Sequence, residues 1–114
     1  MNTRQWPRYP FIAIVYASDP SSKLALTGRT SDLSLGGCYV DTLNPLPKGA
    51  EINVEIVHME ESFLAKGIVV HTQPEGGMGI NFIDMDPQRK KTLENWLEAL
   101  RLASDANCEV TPSQ

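Results

Sequence analysis

The strongest constraint on the fold is a series of short apolar runs between residues 11 and 83, separated by clusters rich in Pro, Gly, Asn and Ser. Pro removes a backbone donor and Gly permits positive φ, so these clusters interrupt regular structure. Short runs at this spacing are typical of an all-β sandwich or barrel. The predicted strands cover residues 11–18, 23–29, 38–42, 51–57, 63–71 and 78–83.

Two predicted strands differ in how their apolar residues alternate. In residues 51–57, Ile52, Val54 and Ile56 alternate with polar residues, which predicts one face in the core and one in water. In residues 11–18, the side chains of both strand faces are mainly apolar, so this strand should be covered on both sides. The set is mostly antiparallel and is predicted to close into a six-stranded β-barrel, because closure removes exposed strand edges.

The hydrophobic period changes at Asp86-Pro87, where a side-chain acceptor precedes the helical position that favours Pro. We predict one C-terminal amphipathic helix over residues 87–103, followed by a polar tail over residues 104–114. Its stripe should pack on the barrel, with a partner helix site or a membrane surface as the alternative. The residues of this stripe are Leu93, Trp96, Leu97, Leu100 and Ala103.

The composition excludes several classes of function. The 114 residues carry ten Lys plus Arg and fourteen Asp plus Glu, a net charge of -4, which disfavours binding to nucleic acid polymers. No run approaches the roughly twenty apolar residues of a membrane-spanning helix, so no membrane insertion is expected. Cys38 and Cys108 lack metal or redox spacing and are interpreted as free thiols in the cytoplasm, with a disulfide or metal site as the alternative.

No enzyme motif is present, so we predict no catalytic residue and no metal. His58 and His71 lie at strand ends without a second ligand nearby, and ordinary surface histidines explain them better than metal binding. A single-stranded nucleic acid barrel would need a basic groove with interleaved aromatics. The strand region instead carries acidic residues, among them Glu51 and Glu55.

Two segments carry the chemistry of a guanine nucleotide site. Before the first strand, Arg4 and Arg8 stand among two aromatic residues and two prolines, and guanidinium binds phosphate and the O6/N7 edge of guanine. In the turn after the second strand, Asp32 can accept from the opposite guanine edge, while Ser34 and nearby glycine amides can approach a ligand. The alternatives are a solvated tail and a turn in which Asp32 and Ser34 cap their own backbone.

The chain resembles the PilZ domain, a bacterial receptor family for cyclic di-GMP. The family signature is R-x-x-x-R before a six-stranded barrel, matched by Arg4 and Arg8, and then [D/N]-x-S-x-x-G, matched by Asp32, Ser34 and Gly37. The resemblance continues through residues 36–40, 46–49 and 79–82 into the closing helix.

The resemblance implies a signalling receptor without catalysis or cofactor, acting on a downstream protein in motility or biofilm regulation. Arg4 and Arg8 would clasp guanine and phosphate, and Asp32, Ser34 and the Gly36-Gly37 backbone would meet the other guanine edge. We expect residues 1–10 to form a mobile ligand-binding arm and residues 11–103 to form the barrel and helix. A PilZ-type interaction module that does not bind the nucleotide is the alternative.

Overall fold

The computed structural model describes the backbone of residues 7–110 and the side chains of residues 7–104. This part of the chain forms seven strands and one helix. The elements are β1 (Tyr9–Pro10), β2 (Ile14–Asp19), β3 (Leu24–Leu33), β4 (Gly37–Asp41), β5 (Glu51–His58), β6 (Glu61–Gln73), β7 (Gly77–Asp84) and α1 (Pro87–Val110).

All strand pairs are antiparallel, and the ladder closes on itself. The order is β3–β2–β5–β6–β7–β4, and β4 pairs back with β3. The short β1 adds to the far end of β3, where Tyr9 pairs with Leu33 and Pro10 with Asp32. The structure therefore confirms the predicted six-stranded antiparallel barrel with one C-terminal helix, and it adds one short strand.

Strand β5 follows the predicted alternation. Ile52, Val54 and Ile56 are at most 2% exposed, whereas Glu51 and Asn53 are exposed. Their apolar side chains join a single core inside the barrel, which other strands complete with residues such as Val15, Val40, Phe63 and Ile80.

The prediction that residues 11–18 are covered on both sides is wrong. Phe11, Ala13, Val15 and Ala17 face the core, but on the other face Ile12 is 72% exposed. Ile14 and Tyr16, which share the outer face, are 44% and 47% exposed. A barrel has one interior, and the only helix in the described part of the chain packs mainly against β6 and β1. The outer face of β2 is therefore not covered by a second layer from the described part of the chain.

Helix α1 begins as predicted and closes one side of the barrel. The Asp86 carboxylate accepts a hydrogen bond of 2.9 Å from the Arg89 backbone N–H, the bond expected of an N-cap. Trp96 is buried, with its ring centroid 5.5 Å from that of Phe11, and its indole N–H donates to Glu61 Oε1 at 2.8 Å.

The second half of α1 differs from the prediction. Its backbone runs to Val110, past the expected end at Ala103, and Ala103 is exposed although it was assigned to the buried stripe. Leu93 is fully buried and Leu100 only partly buried, so the helix loses its contact with the barrel toward its C-terminus. Within the described residues, no helix is long and apolar enough to cross a membrane.

Candidate functional site

A β-bulge in β3 determines which way Asp32 points. Thr30 pairs with Val40 and Asp32 pairs with Tyr39, so Ser31 is an extra residue without a partner on β4. Thr30 is buried, and strict alternation would point Asp32 into the core with it. The bulge resets the alternation and places the Asp32 carboxylate on the outer surface, a common use of bulges beside functional sites.

Strand β1 brings Arg8 to this carboxylate. Pro10 pairs with Asp32 and Tyr9 with Leu33, so Arg8 directly precedes this short ladder, and Arg8 Nη1 donates to Asp32 Oδ1 at 2.7 Å. The two side chains are 35% and 29% exposed. Two of the predicted site residues, distant in sequence, are thus in direct contact at the surface, whereas Arg4 lies outside the described residues.

The turn after β3 is held together by Ser34. The Ser34 hydroxyl accepts from the backbone N–H groups of Gly36 and Gly37 at 3.2 Å each, and it donates to the Gly37 carbonyl at 3.2 Å. Ser34 is 5% exposed. Its hydroxyl therefore caps its own turn, as one of the two interpretations of this segment expected. Asp32, by contrast, bonds to Arg8.

The two glycines of this turn join β4 to β7. The Gly36 carbonyl accepts from the Phe82 N–H at 2.9 Å. A Cβ at Gly37 would lie 2.1 Å from the Ile80 carbonyl oxygen, far inside contact distance. Gly37 is required because two backbones pass this close together. Its place in the motif is explained by packing in the barrel wall.

Tyr39 is a neighbour of Asp32 that the sequence analysis missed. It points outward between buried Cys38 and Val40, and its hydroxyl donates to Gln73 Oε1 at 3.4 Å. Outward orientation follows from alternation along β4, but the position beside Asp32 depends on the bulge at Ser31. No motif or local pattern in the sequence marks that bulge, so only the register shows it.

Cys38 lies on the inner face of β4, paired with Leu33. It is fully buried, and burial raises the pKa of its thiol to about 12, with the negative charge of Asp32 adding to the rise and Arg8 opposing it. The thiol is therefore neutral and unreactive at ordinary pH. Among the residues whose side chains are described, no group of three or more His, Cys, Asp or Glu could hold a metal ion.

A closed six-stranded barrel with a short arm strand and an exposed Arg–Asp pair at a bulge defines a small β-barrel module of the PilZ type. The PilZ domain model matches residues 2–99, and the chain belongs to the PilZ family. No curated protein matches the chain.

Solved structures share this fold. The PilZ domain with c-di-GMP of YcgR from Escherichia coli has a TM-score of 0.74 and 16% identity, covering 96% of this chain and 99% of that one. The PilZ domain of CeSA from a cellulose-synthesizing bacterium has a TM-score of 0.65 and 22% identity, covering 83% and 98%. The Bacillus subtilis inhibitor of motility MotI/DgrA has a TM-score of 0.70 and 14% identity, covering 90% and 53%.

Proposed function

We propose that this chain is a cyclic di-GMP receptor that orders its N-terminal arm on binding and then acts on a partner protein. The observation that carries the proposal is the exposed contact between Arg8 and Asp32. Membership of the PilZ family and the fold shared with the c-di-GMP-bound domain of YcgR support the choice of ligand.

The chemistry of guanine fits this pair. Guanine has two acceptors, O6 and N7, on one edge and two donor groups, N1–H and N2–H₂, on the opposite side. The Arg8 guanidinium supplies donors and the Asp32 carboxylate supplies acceptors. A pair exposed by about a third is worth at most about 1 kcal/mol, so a ligand that bonds both groups can replace their mutual contact at small cost.

The distribution of charge favours an arm that captures phosphate. Residues 1–18 contain Arg4 and Arg8 and no acidic residue, although the whole chain has a net charge of -4. Arg4 precedes Arg8 by four positions in the segment that leads into β1. A ligand with two phosphates would offer both guanidinium groups a charged partner, which an Arg8–Asp32 pair alone does not.

The alternative is a PilZ-type interaction module that does not bind the nucleotide. The same contact is the observation in its favour, because Arg8 and Asp32 already satisfy each other without a ligand. In both cases the chain would act on another protein; only in the first would the second messenger control that action.

Titration calorimetry of the intact chain with cyclic di-GMP separates the two functions. The wild-type chain should bind, and Arg8→Ala should weaken binding at least about tenfold, because charge-assisted hydrogen bonds contribute roughly 1.5 to 3 kcal/mol each. Arg101→Ala is the matched control: it removes the same charge from another exposed ion pair, that of Arg101 with Glu98 on α1.

Each outcome of this titration has a distinct meaning. No binding by the wild-type chain would contradict the receptor function and support the interaction module. Binding that is equally strong in the wild type and in Arg8→Ala would show that the nucleotide binds elsewhere. A loss shared by Arg8→Ala and Arg101→Ala would point to general charge attraction instead of a site.

A further inference from the structure

We propose that the Tyr39 ring is a stacking platform for the second guanine of a ligand whose first guanine is held by Arg8 and Asp32. This inference rests on the proposed function, since it concerns the same ligand. Tyr39 belongs to neither the R-x-x-x-R motif nor the [D/N]-x-S-x-x-G motif. The strand register alone places it beside Asp32.

Four outward positions form a row across four strands. Asp32 on β3 pairs with Tyr39 on β4, Tyr39 pairs with Gly79 on β7, and Gly79 pairs with His71 on β6. Neighbouring strands are about 4.8 Å apart, so a ring lying over β7 is roughly 10 Å from the Asp32 backbone. Cyclic di-GMP carries two guanines on one cyclic sugar-phosphate ring, and a second base in this row would lie over β4 and β7.

The Tyr39 ring lies against β7. A Cβ at Gly77 would be 2.6 Å from Tyr39 Cε1, and a Cβ at Gly79 would be 3.8 Å from Tyr39 Cδ2. The bond to Gln73 anchors the hydroxyl end of the ring. The ring is therefore supported from beneath and held at its tip, and Tyr39 is only half-buried, which leaves aromatic surface for a base.

Gly79 is buried and adds no side chain between Tyr39 and His71. Its Cβ would meet only ordinary contacts, 3.4 Å to His71 Cβ and 3.8 Å to Tyr39, so packing does not demand glycine there as it does at Gly37. The two ring centroids are 6.4 Å apart. The row therefore presents two aromatic rings with no side chain from the strand between them.

Tyr39 and the Arg8–Asp32 pair would have different roles in recognising the ligand. Stacking on an aromatic ring accepts any base, because every base has a π face. Hydrogen bonds to the base edges distinguish guanine from adenine. Tyr39 should therefore add affinity without selecting the base, and Arg8 and Asp32 should add both affinity and the preference for guanine.

Calorimetry with cyclic di-GMP on three variants of the intact chain tests this assignment. Tyr39→Leu should weaken binding by about tenfold, the loss typical of one base–aromatic stack, while Tyr39→Phe should stay within about twofold of the wild type. Tyr16→Leu is the matched control, since Tyr16 also faces outward, on β2, but is far from the row. Thermal unfolding of each variant checks that the barrel is intact.

Proton NMR supplies a measurement that a merely structural role would not change. A guanine stacked on Tyr39 should move the Tyr39 ring resonances upfield at saturating cyclic di-GMP. The Tyr39 resonances are identified as the tyrosine signals of the wild-type spectrum that are missing from the spectrum of Tyr39→Phe.

The outcomes separate this inference from the proposed function. If the wild type does not bind cyclic di-GMP, the function fails and the platform fails with it. If the wild type binds and Tyr39→Leu binds equally well, only the platform is overturned. Unmoved Tyr39 resonances, or an equal loss of affinity in Tyr16→Leu, would also overturn the platform and leave the receptor function standing.

Discussion

Asp32 and Cys38 lie close together on neighbouring strands but on opposite faces of the barrel wall, and their surroundings differ. Asp32 is turned outward by the bulge and meets a cation near water. Cys38 faces the core and is fully buried, so its charged form is strongly disfavoured. The same wall thus holds a charged pair on its outer surface and a neutral thiol on its inner face.

The raised pKa of Cys38 predicts a loss of stability at alkaline pH. The pKa of about 12 in the folded chain lies above the ordinary value of 9.0, so above pH 9 the unfolded chain releases a proton that the folded chain retains. The contribution is complete below pH 9 and falls as pH rises toward 12, by up to about 1.4 kcal/mol per pH unit.

Urea unfolding at several alkaline pH values checks this prediction. Cys38→Ala should be less sensitive to pH than the wild type, because it lacks the titrating thiol. Any constant offset from the smaller side chain does not affect this slope. Parallel pH dependences for the two chains would contradict the prediction.

At the scale of elements, the sequence predicted strand existence better than strand environment. The alternation of Ile52, Val54 and Ile56 identified both β5 and its buried face, because polar residues between them had to meet water. The apolar residues of the predicted strand 11–18 carried no such information: Ile12 and Ile14 are as apolar as Val15 but exposed. Periodicity counts apolar residues and does not show what packs against them.

In the candidate site too, the sequence predicts some features, while others depend on how the chain packs. The residue types at Arg8 and Asp32 could be recognised from the motif, and the structure places them in contact. The bond pattern of Ser34 could not be chosen from sequence, since a hydroxyl can bond a ligand or its own turn. The position of Tyr39 requires the register shift between Thr30 and Asp32, which depends on long-range pairing.

Substitution by Asn should lower the free energy of unfolding by different amounts on the two faces of β2. Val15→Asn would bury an amide in an apolar core and should lower the free energy of unfolding by more than about 2 kcal/mol. Ile14→Asn, the matched control at a position 44% exposed, should lower it by less than about 1 kcal/mol. Urea unfolding of both variants gives the comparison, and equal losses would mean that the assigned faces are wrong.

At the scale of the whole molecule, the arm, the barrel and the helix meet around Phe11. This residue follows β1 directly, and its ring centroid lies 4.7 Å from that of His58 and 5.5 Å from that of Trp96. The chain that carries Arg8 is therefore anchored to the barrel and to α1 three residues later. We expect any ordering of the arm by a ligand to be confined to the residues before β1.

Amide hydrogen exchange measured with and without cyclic di-GMP tests that ordering. Amides of residues 2–6 and of Arg8 should gain protection on binding, whereas amides of β5 and β6 in the barrel wall should change little and serve as the internal control. Exchange localised by mass spectrometry or NMR gives the needed resolution. High and equal protection of the arm in both states would rule out ordering by the ligand.

The closed ladder also determines how a barrel of this kind can acquire new specificity. Each of β2 to β7 is paired on both sides, so its backbone has little capacity left to bind a peptide by strand addition. Recognition on these strands then depends on outward side chains such as Tyr16, Tyr39 and His71. Because the core is filled by inward strand side chains together with Leu93 and Trp96 of α1, outward positions away from the helix can be exchanged one at a time, and the surface can diversify while the fold is unchanged.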